Sequence, residues 1–293
     1  MTSVVQDSSV EPRAVETAVP ATGAIETAAF EIAAGANPRG TVVVLGGLGE
    51  RPVVYARFGK RIAFDAYPVR VVTGAAEDPA AARTTAEALL TDASLPSPKF
   101  LVGSDAGAVL ALQIAAGAGR VEGAEAPTGA ADVLRDLAGV VVAGLPVGDG
   151  AGDGASGRAA GGAGTSSTGA VGASSSADLT DDATVRSACP VHQGVLADEA
   201  NLTPGALAQP LPDGLELPDA GAVGVPVLAF LGEADAVIDV DAAEAWLGSA
   251  PDARVVRAPS GLHDVLNDKI HRSVAATTVL FLEDLKNGGP VLG

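Results

Sequence analysis

Short, continuous apolar runs recur along this chain, each closed by glycine or a polar turn. Residues 40–45, 69–73, 139–143, 225–231 and 253–257 read as strands, and residues 28–34 as an early strand. The run at 99–103 is a further strand that feeds straight into a helix. Helices are predicted over 78–90, 132–137, 242–247 and 270–286. The first of these has Asp78 at its N-cap and Pro79 at its first position. Strands that are apolar throughout, alternating with helices, predict an α/β fold with a mostly parallel sheet covered on both faces. In such sheets the chemistry lies beyond the carboxyl ends of the strands.

The pattern breaks twice. Residues 1–22 are polar without periodicity and predict a disordered tail. Residues 148–176 are rich in Gly, Ala and Ser and lack the large apolar side chains a core needs. The expected organisation is therefore a core of residues 23–146 and 225–289, with residues 147–224 as a flexible low-complexity lid. Order is expected to return near residues 184–190.

The 293 residues are enough for one large domain. Aromatics are 3%, so Ala, Val and Leu must build the core. A formal charge of −18 argues against nucleic-acid and anionic-membrane partners. It fits either tolerance of high salt or an ordinary acidic surface. The single cysteine, Cys189, excludes an intrachain disulfide and fits a reducing compartment. The N-terminal residues lack the basic start and apolar run of a signal peptide, and no stretch reaches the length of a membrane span. The expectation is a cytoplasmic protein acting on a small molecule, with no cofactor and no metal. Oligomeric state is not legible.

The chemistry centres on Gly103-Ser104-Asp105-Ala106-Gly107, between the strand at 99–103 and its helix. This G-x-Nu-x-G spacing is that of a nucleophile elbow, whose glycines let strand and helix approach around one strained residue. That residue is Asp105. Asp235 follows the strand ending at Leu231, and His263 follows the strand ending near Arg257. Nucleophile, acid and histidine in this order, each beyond a strand end, form a candidate triad. A nucleophile at Ser104 would put Val102 and Ala106 at the flanking positions, where a β-branched residue suits close packing poorly. Gly47 and Ser104 are assigned to substrate binding.

Three segments carry a resemblance. Gly46-Gly47-Leu48-Gly49-Glu50-Arg51, with Tyr55 beyond, looks like an H-G-x-G-E-H-x-x-R-Y segment. Residues 232–239 look like a G-x-x-D acid loop, and residues 261–268 like a G-x-x-H-E-x-x-N-E histidine loop. On these the chain resembles the α/β-hydrolases, most closely the lysophospholipase and monoacylglycerol-lipase branch, over about Gly40–Leu145 and Val225–Leu285. The resemblance implies that the backbone N–H groups of Leu48 and Ala106 form an oxyanion hole. Two departures stand out: Gly46 replaces the family's histidine, and Asp105 its serine.

An aspartate there opens three routes. Asp105 and His263 can activate water against a small or medium apolar ester, lactone or related acyl substrate, which is the leading reading. Asp105 can attack an alkyl carbon, as in dehalogenases and epoxide hydrolases of this fold. Against this, Ala106 stands where dehalogenases carry Trp, and Tyr55 and Tyr67 both precede the elbow. Finally, the triad can be a relic on a binding protein. In every case, Asp105 and Asp235 flanking His263 should hold the ring as imidazolium.

Other residues have plainer expectations. Glu50 and Arg51 read as a pair near the site entrance, either a structural ion pair or a substrate contact, Asp264 and Asp268 as caps of the last helix, and Cys189 and His192 as structural. His271 reads as a surface residue. Residues 46–49 lack the spacing of a phosphate loop.

Overall fold

The computed structural model describes residues 14–15, 25–117, 135–147 and 181–292. Its strands are β1 (Ala14–Val15), β2 (Glu26–Phe30), β3 (Thr41–Leu45), β4 (Val69–Thr73), β5 (Lys99–Ser104), β6 (Leu137–Ala143), β7 (Val227–Gly232) and β8 (Ala253–Ala258). They form one sheet in the order β1-β2-β4-β3-β5-β6-β7-β8. The pairs β1–β2 and β2–β4 are antiparallel, and every pair from β4–β3 to β7–β8 is parallel.

Alternation along the strands explains the two-sided core. Val43 and Leu45 pack on one face with α2 (Pro79–Thr91), α3 (Ala106–Ala115) and α6 (Val240–Leu247). Val42 and Val44 pack on the other with α1 (Ala56–Phe64) and α7 (His271–Asn287). This is the period-2 geometry of a strand buried on both sides. Two short helices, α4 (Asp182–Arg186) and α5 (Pro190–Leu196), precede β7.

The strand order places the site. The chain steps from β3 to β4 on one side, then crosses to β5 on the other. Such a reversal opens a crevice at the carboxyl ends of the two strands flanking it. The loop beginning at Gly46 leaves β3 there, and Asp105 leaves β5.

Several boundaries differ from the sequence reading. The early strand ends at Phe30, because its partner β4 ends the register at Val69. The β6 strand begins at Leu137, two residues sooner than expected, and takes a residue assigned to the helix at 132–137. Residues 132–134 of that helix lie outside the described residues, as do 148–180 of the expected lid and most of the expected N-terminal tail. Asp78 caps α2 as predicted, accepting from Ala81 N–H at 2.9 Å.

Glycine matters most where α3 meets the sheet. A Cβ on Gly107 would stand 2.1 Å from the Leu45 carbonyl oxygen, and one on Gly103 2.4 Å from the Gly107 oxygen. Both obstacles are backbone, which cannot swing aside. Gly107→Ala is therefore expected to cost about 3 kcal/mol or more, at the upper end of overpacking effects. The measurement is the urea midpoint beside Gly194→Ala. A Cβ on Gly194 meets nothing within 4 Å, so that variant should match or slightly exceed wild type. Equal midpoints for the two variants would refute the close approach of α3 to β3.

Candidate active site

Asp105 sits at the sharp turn between β5 and α3 with φ 53° and ψ −119°, one of two described non-glycine residues at positive φ. Its own N–H donates to the Ala143 carbonyl at 3.0 Å, and its carbonyl accepts from Ala108 N–H at 2.9 Å. The elbow is thus tied to β6 on one side and to α3 on the other. The side chain is wholly buried.

Asp235 and His263 arrive from the ends of β7 and β8. The two loops are pressed together at Gly232, where a Cβ would meet the Gly261 and Leu262 oxygens at 2.5 Å. Ala234 N–H donates to the Gly261 carbonyl at 3.1 Å, closing the contact. Asp235 Oδ1 accepts from Val237 N–H at 2.8 Å, which fixes the carboxylate within its turn. Its Oδ2 lies 2.9 Å from His263 Nδ1. His263 Nε2 lies 3.8 Å from Asp105 Oδ2, within ion-pair range but beyond a hydrogen bond. All three side chains are 1% exposed or less.

Burial works to strip His263 of its proton. The Asp235 charge, followed by the Asp105 carboxylate, outweighs it and holds the imidazolium up to about 9. This matches the expectation from the flanking carboxylates.

The loop after β3 differs from expectation in a telling way. Leu48 N–H, predicted to face a substrate carbonyl, donates to Asp105 Oδ2 at 3.1 Å. The carboxylate of the elbow has taken a donor of the predicted oxyanion hole. Ala106, its predicted partner, is buried at the first turn of α3. Gly47 lies directly over the elbow: a Cβ there would stand 3.0 Å from Asp105 Cβ. Ser104 ends β5, buried, paired in register with Ala143 of β6. At Gly46 a Cβ would stand 2.6 Å from Thr73 Cγ2, so the position fits glycine.

Behind the loop is a buried polar cluster that the sequence did not disclose. Glu50 does not pair with Arg51, which reaches Glu26 instead at 2.7 Å. Its partner is Arg186 of α4: Arg186 Nη1 donates to Glu50 Oε1 at 2.7 Å, and Nη2 to the Leu48 carbonyl at 2.7 Å. Tyr55 Oη also donates to Glu50, and Gly47 N–H donates to Glu50 Oε2 at 2.9 Å. Burial pushes the Glu50 carboxyl up, against the Arg186 charge. Three donors aimed at it are the complement of a carboxylate. Burial of Arg186 is outweighed by Glu50 and then Asp105, which keep it cationic.

The histidine loop has its own buried partners. Asp264 and Asp268 are not helix caps. Asp264 Oδ2 meets His192 Nε2 at 2.5 Å, and Asp268 accepts from Ser187 Oγ, Ala188 N–H and Leu262 N–H. Both turn toward residues 186–192 because those residues bury against them. Burial raises the Asp264 carboxyl, but His192 and Arg186 bring it below its ordinary range. Cys189 Sγ accepts from Arg57 Nη1 at 3.2 Å, and His271 is partly buried with Nδ1 at the Asp268 carbonyl. Gly144, also unforeseen, adopts φ +56° beneath the His263 ring, where a Cβ would stand 3.0 Å from Cε1.

The architecture matches known structures. The chain is similar to a soluble variant of monoglyceride lipase from Saccharomyces cerevisiae, with a TM-score of 0.63 and 12% identity over 96% of this chain and 97% of that one. It is similar to the monoacylglycerol lipase of Paleococcus ferrophilus, with a TM-score of 0.59 and 14% identity over 90% and 98%. An esterase from Rhodococcus sp. ECU1013 gives a TM-score of 0.59 and 18% identity over 89% and 95%. The fold is that of the α/β-hydrolases. No protein-family model and no curated protein sequence matches the chain. Among the described residues of this α/β-hydrolase fold, no cluster of His, Cys, Asp and Glu could hold a metal ion. None of its described helices is long and apolar enough to cross a membrane.

The electrostatics make a direct prediction. A folded-state pKa near 9, above the ordinary 6.5, means His263 adds stability that is full below about pH 6.5. That contribution is lost as pH rises through about 9. Asp105→Asn removes one carboxylate, so the His263 titration should move down and the loss of stability should begin at lower pH. NMR titration of the ring and urea midpoints from pH 6 to 10 test this. An unmoved His263 titration in Asp105→Asn would show that the pair does not interact.

Proposed function

We propose that this chain is a hydrolase whose reacting group is the Asp105 carboxylate, with His263 as acid and base and Asp235 orienting it. The observation that carries the reading is the Leu48 N–H bond to Asp105 Oδ2. It favours attack by the carboxylate on an alkyl carbon over polarisation of a substrate carbonyl. A carbonyl oxygen would have to displace Oδ2 from that donor.

In this reaction Oδ1 forms a bond to the substrate carbon, and the leaving group departs with the bonding pair. The product is an ester of Asp105, whose carbonyl oxygen is Oδ2, already against Leu48 N–H. The ester is neutral, so one of the two charges holding the His263 proton is gone. The ring then releases its proton to the leaving group or to solvent and becomes a base for water. Water attacks Cγ, and the charge that develops on Oδ2 falls on the Leu48 donor, with Ala106 N–H as the second. Collapse releases the alcohol and restores the carboxylate. The substrate in this reading is small or medium and apolar, with Gly47 and Ser104 beside the elbow assigned to its binding.

A second reading keeps the ester, lactone or related acyl substrate, with Asp105 and His263 activating water. It is favoured by the similar structures, which are named as lipases and an esterase.

One experiment separates the two. Wild type, Asp105→Asn, Asp105→Ser and His263→Gln are incubated with haloalkanes, epoxides and p-nitrophenyl esters, and the elbow peptide is weighed by mass spectrometry. The expected outcome is an alkyl adduct on Asp105 in His263→Gln and a loss of turnover of about a thousandfold or more in Asp105→Asn. Ester turnover in wild type without any adduct would select the second reading. Activity confined to Asp105→Ser would sink both.

A further inference from the structure

Three consecutive peptide groups of the loop after β3 face different partners. The N–H between Gly46 and Gly47 is held by Glu50 Oε2 at 2.9 Å and the Tyr55 hydroxyl oxygen at 3.0 Å. The carbonyl of Leu48, in the peptide joining it to Gly49, is held by Arg186 Nη2 at 2.7 Å. Between them lies the peptide whose N–H reaches Asp105. It is fixed because its neighbours on both sides are fixed, and Arg186 takes part in both anchors. One arm of its guanidinium holds the Leu48 carbonyl and the other holds Glu50, which in turn holds Gly47.

We propose that Arg186 is a positioning residue for the Asp105 site, clamping the Leu48 peptide so that its N–H stays on the carboxylate. The planar fork suits this task, since one rigid group spans a carbonyl and a carboxylate at once. The residue is 1% exposed, so water cannot readily replace it. A buried ion pair often contributes little to stability against an apolar pair of the same size. What an apolar pair could not supply is the direction of the Leu48 peptide. Residues 201–206 close the outer side of the loop: Thr203 N–H donates to the Gly49 carbonyl at 2.8 Å, and Arg51 N–H to the Asn201 carbonyl at 2.9 Å. The loop is therefore sandwiched between the sheet and the segment that follows residue 181.

The proposal rests on the reading of Asp105 as the reacting group, and its test has one arm that needs no substrate. Wild type, Arg186→Lys and the paired variant Arg186→Met with Glu50→Gln are compared as full chains. The paired variant removes both charges of the Arg186–Glu50 pair together, so neither is left facing a neutral partner. Amide hydrogen exchange is read at Leu48 and, for overall integrity, at Val42–Val44. Adduct formation on Asp105 is followed in single turnover with an alkyl substrate that wild type accepts. The paired variant should expose the Leu48 amide with unchanged strand protection. Its adduct formation should slow about 10- to 100-fold, the scale of a misplaced donor, at unchanged half-saturating substrate concentration. Arg186→Lys, with no fork, should lie between. Should the paired variant fail to fold, Arg186→Lys must still show faster exchange at Leu48. Unchanged protection at Leu48 in the folded variants overturns the clamp. A Leu48 response with no adduct on wild type or on His263→Gln supports the clamp and overturns the reading of Asp105.

Discussion

A non-glycine residue at φ +53° is the constraint around which this site is arranged. A backbone held in a sparsely populated region costs on the order of 1–3 kcal/mol, and persists where surrounding structure leaves no alternative. Here α3 lies so close to β3 and β5 that only glycine fits at 103 and 107. With both ends of the turn fixed, Asp105 must project from it. Its backbone N–H is then drawn to β6, and its side chain to the loop leaving β3. The strand reversal at β3 brings that loop alongside, so the elbow and the donor loop are products of one topology.

Electrostatics do the rest. A carboxylate buried alone would be very costly, and Asp105 avoids that through the Leu48 N–H and the imidazolium of His263. The same pairing holds His263 protonated, which suits an acid and not a base. Chemistry that neutralises Asp105 therefore also changes what His263 can do. A serine at this position would carry no such charge, and its histidine would lack that part of the upward pull. The aspartate alters the histidine as well as the nucleophile.

Much of this was legible in the sequence, for definable reasons. The buried strands announce themselves because both faces are apolar, and the elbow because two glycines flank one polar residue at fixed spacing. Asp235 and His263 follow strand ends, so topology alone places them near Asp105. Arg186 and His192 were not legible as partners of the site. Their contacts span 136 and 72 residues, respectively, and no spacing or periodicity connects them. Arg51 was misread for a related reason: neighbours in sequence looked like a pair, whereas the loop turns Glu50 inward and Arg51 toward Glu26. Asp264 and Asp268 looked like helix caps from their position. Burial against residues 187–192 gave them stronger partners.

The cluster behind the loop also bears on the departure at Gly46. The resemblance implies a histidine there, contributing to the polar network beside the donor loop. Thr73 and Tyr55 leave no room for its Cβ, at 2.6 and 3.2 Å. The loop is held instead from the opposite side, by a guanidinium from beyond residue 181. Arg186 adds support from a distant segment to that of Glu50 and Tyr55, and the Leu48 donor serves a carboxylate of the protein itself. Both contacts act on the two peptides flanking Leu48. Arg186, anchored on Glu50 and Leu48, and Asp105, anchored on Leu48, thus converge on the direction of one N–H.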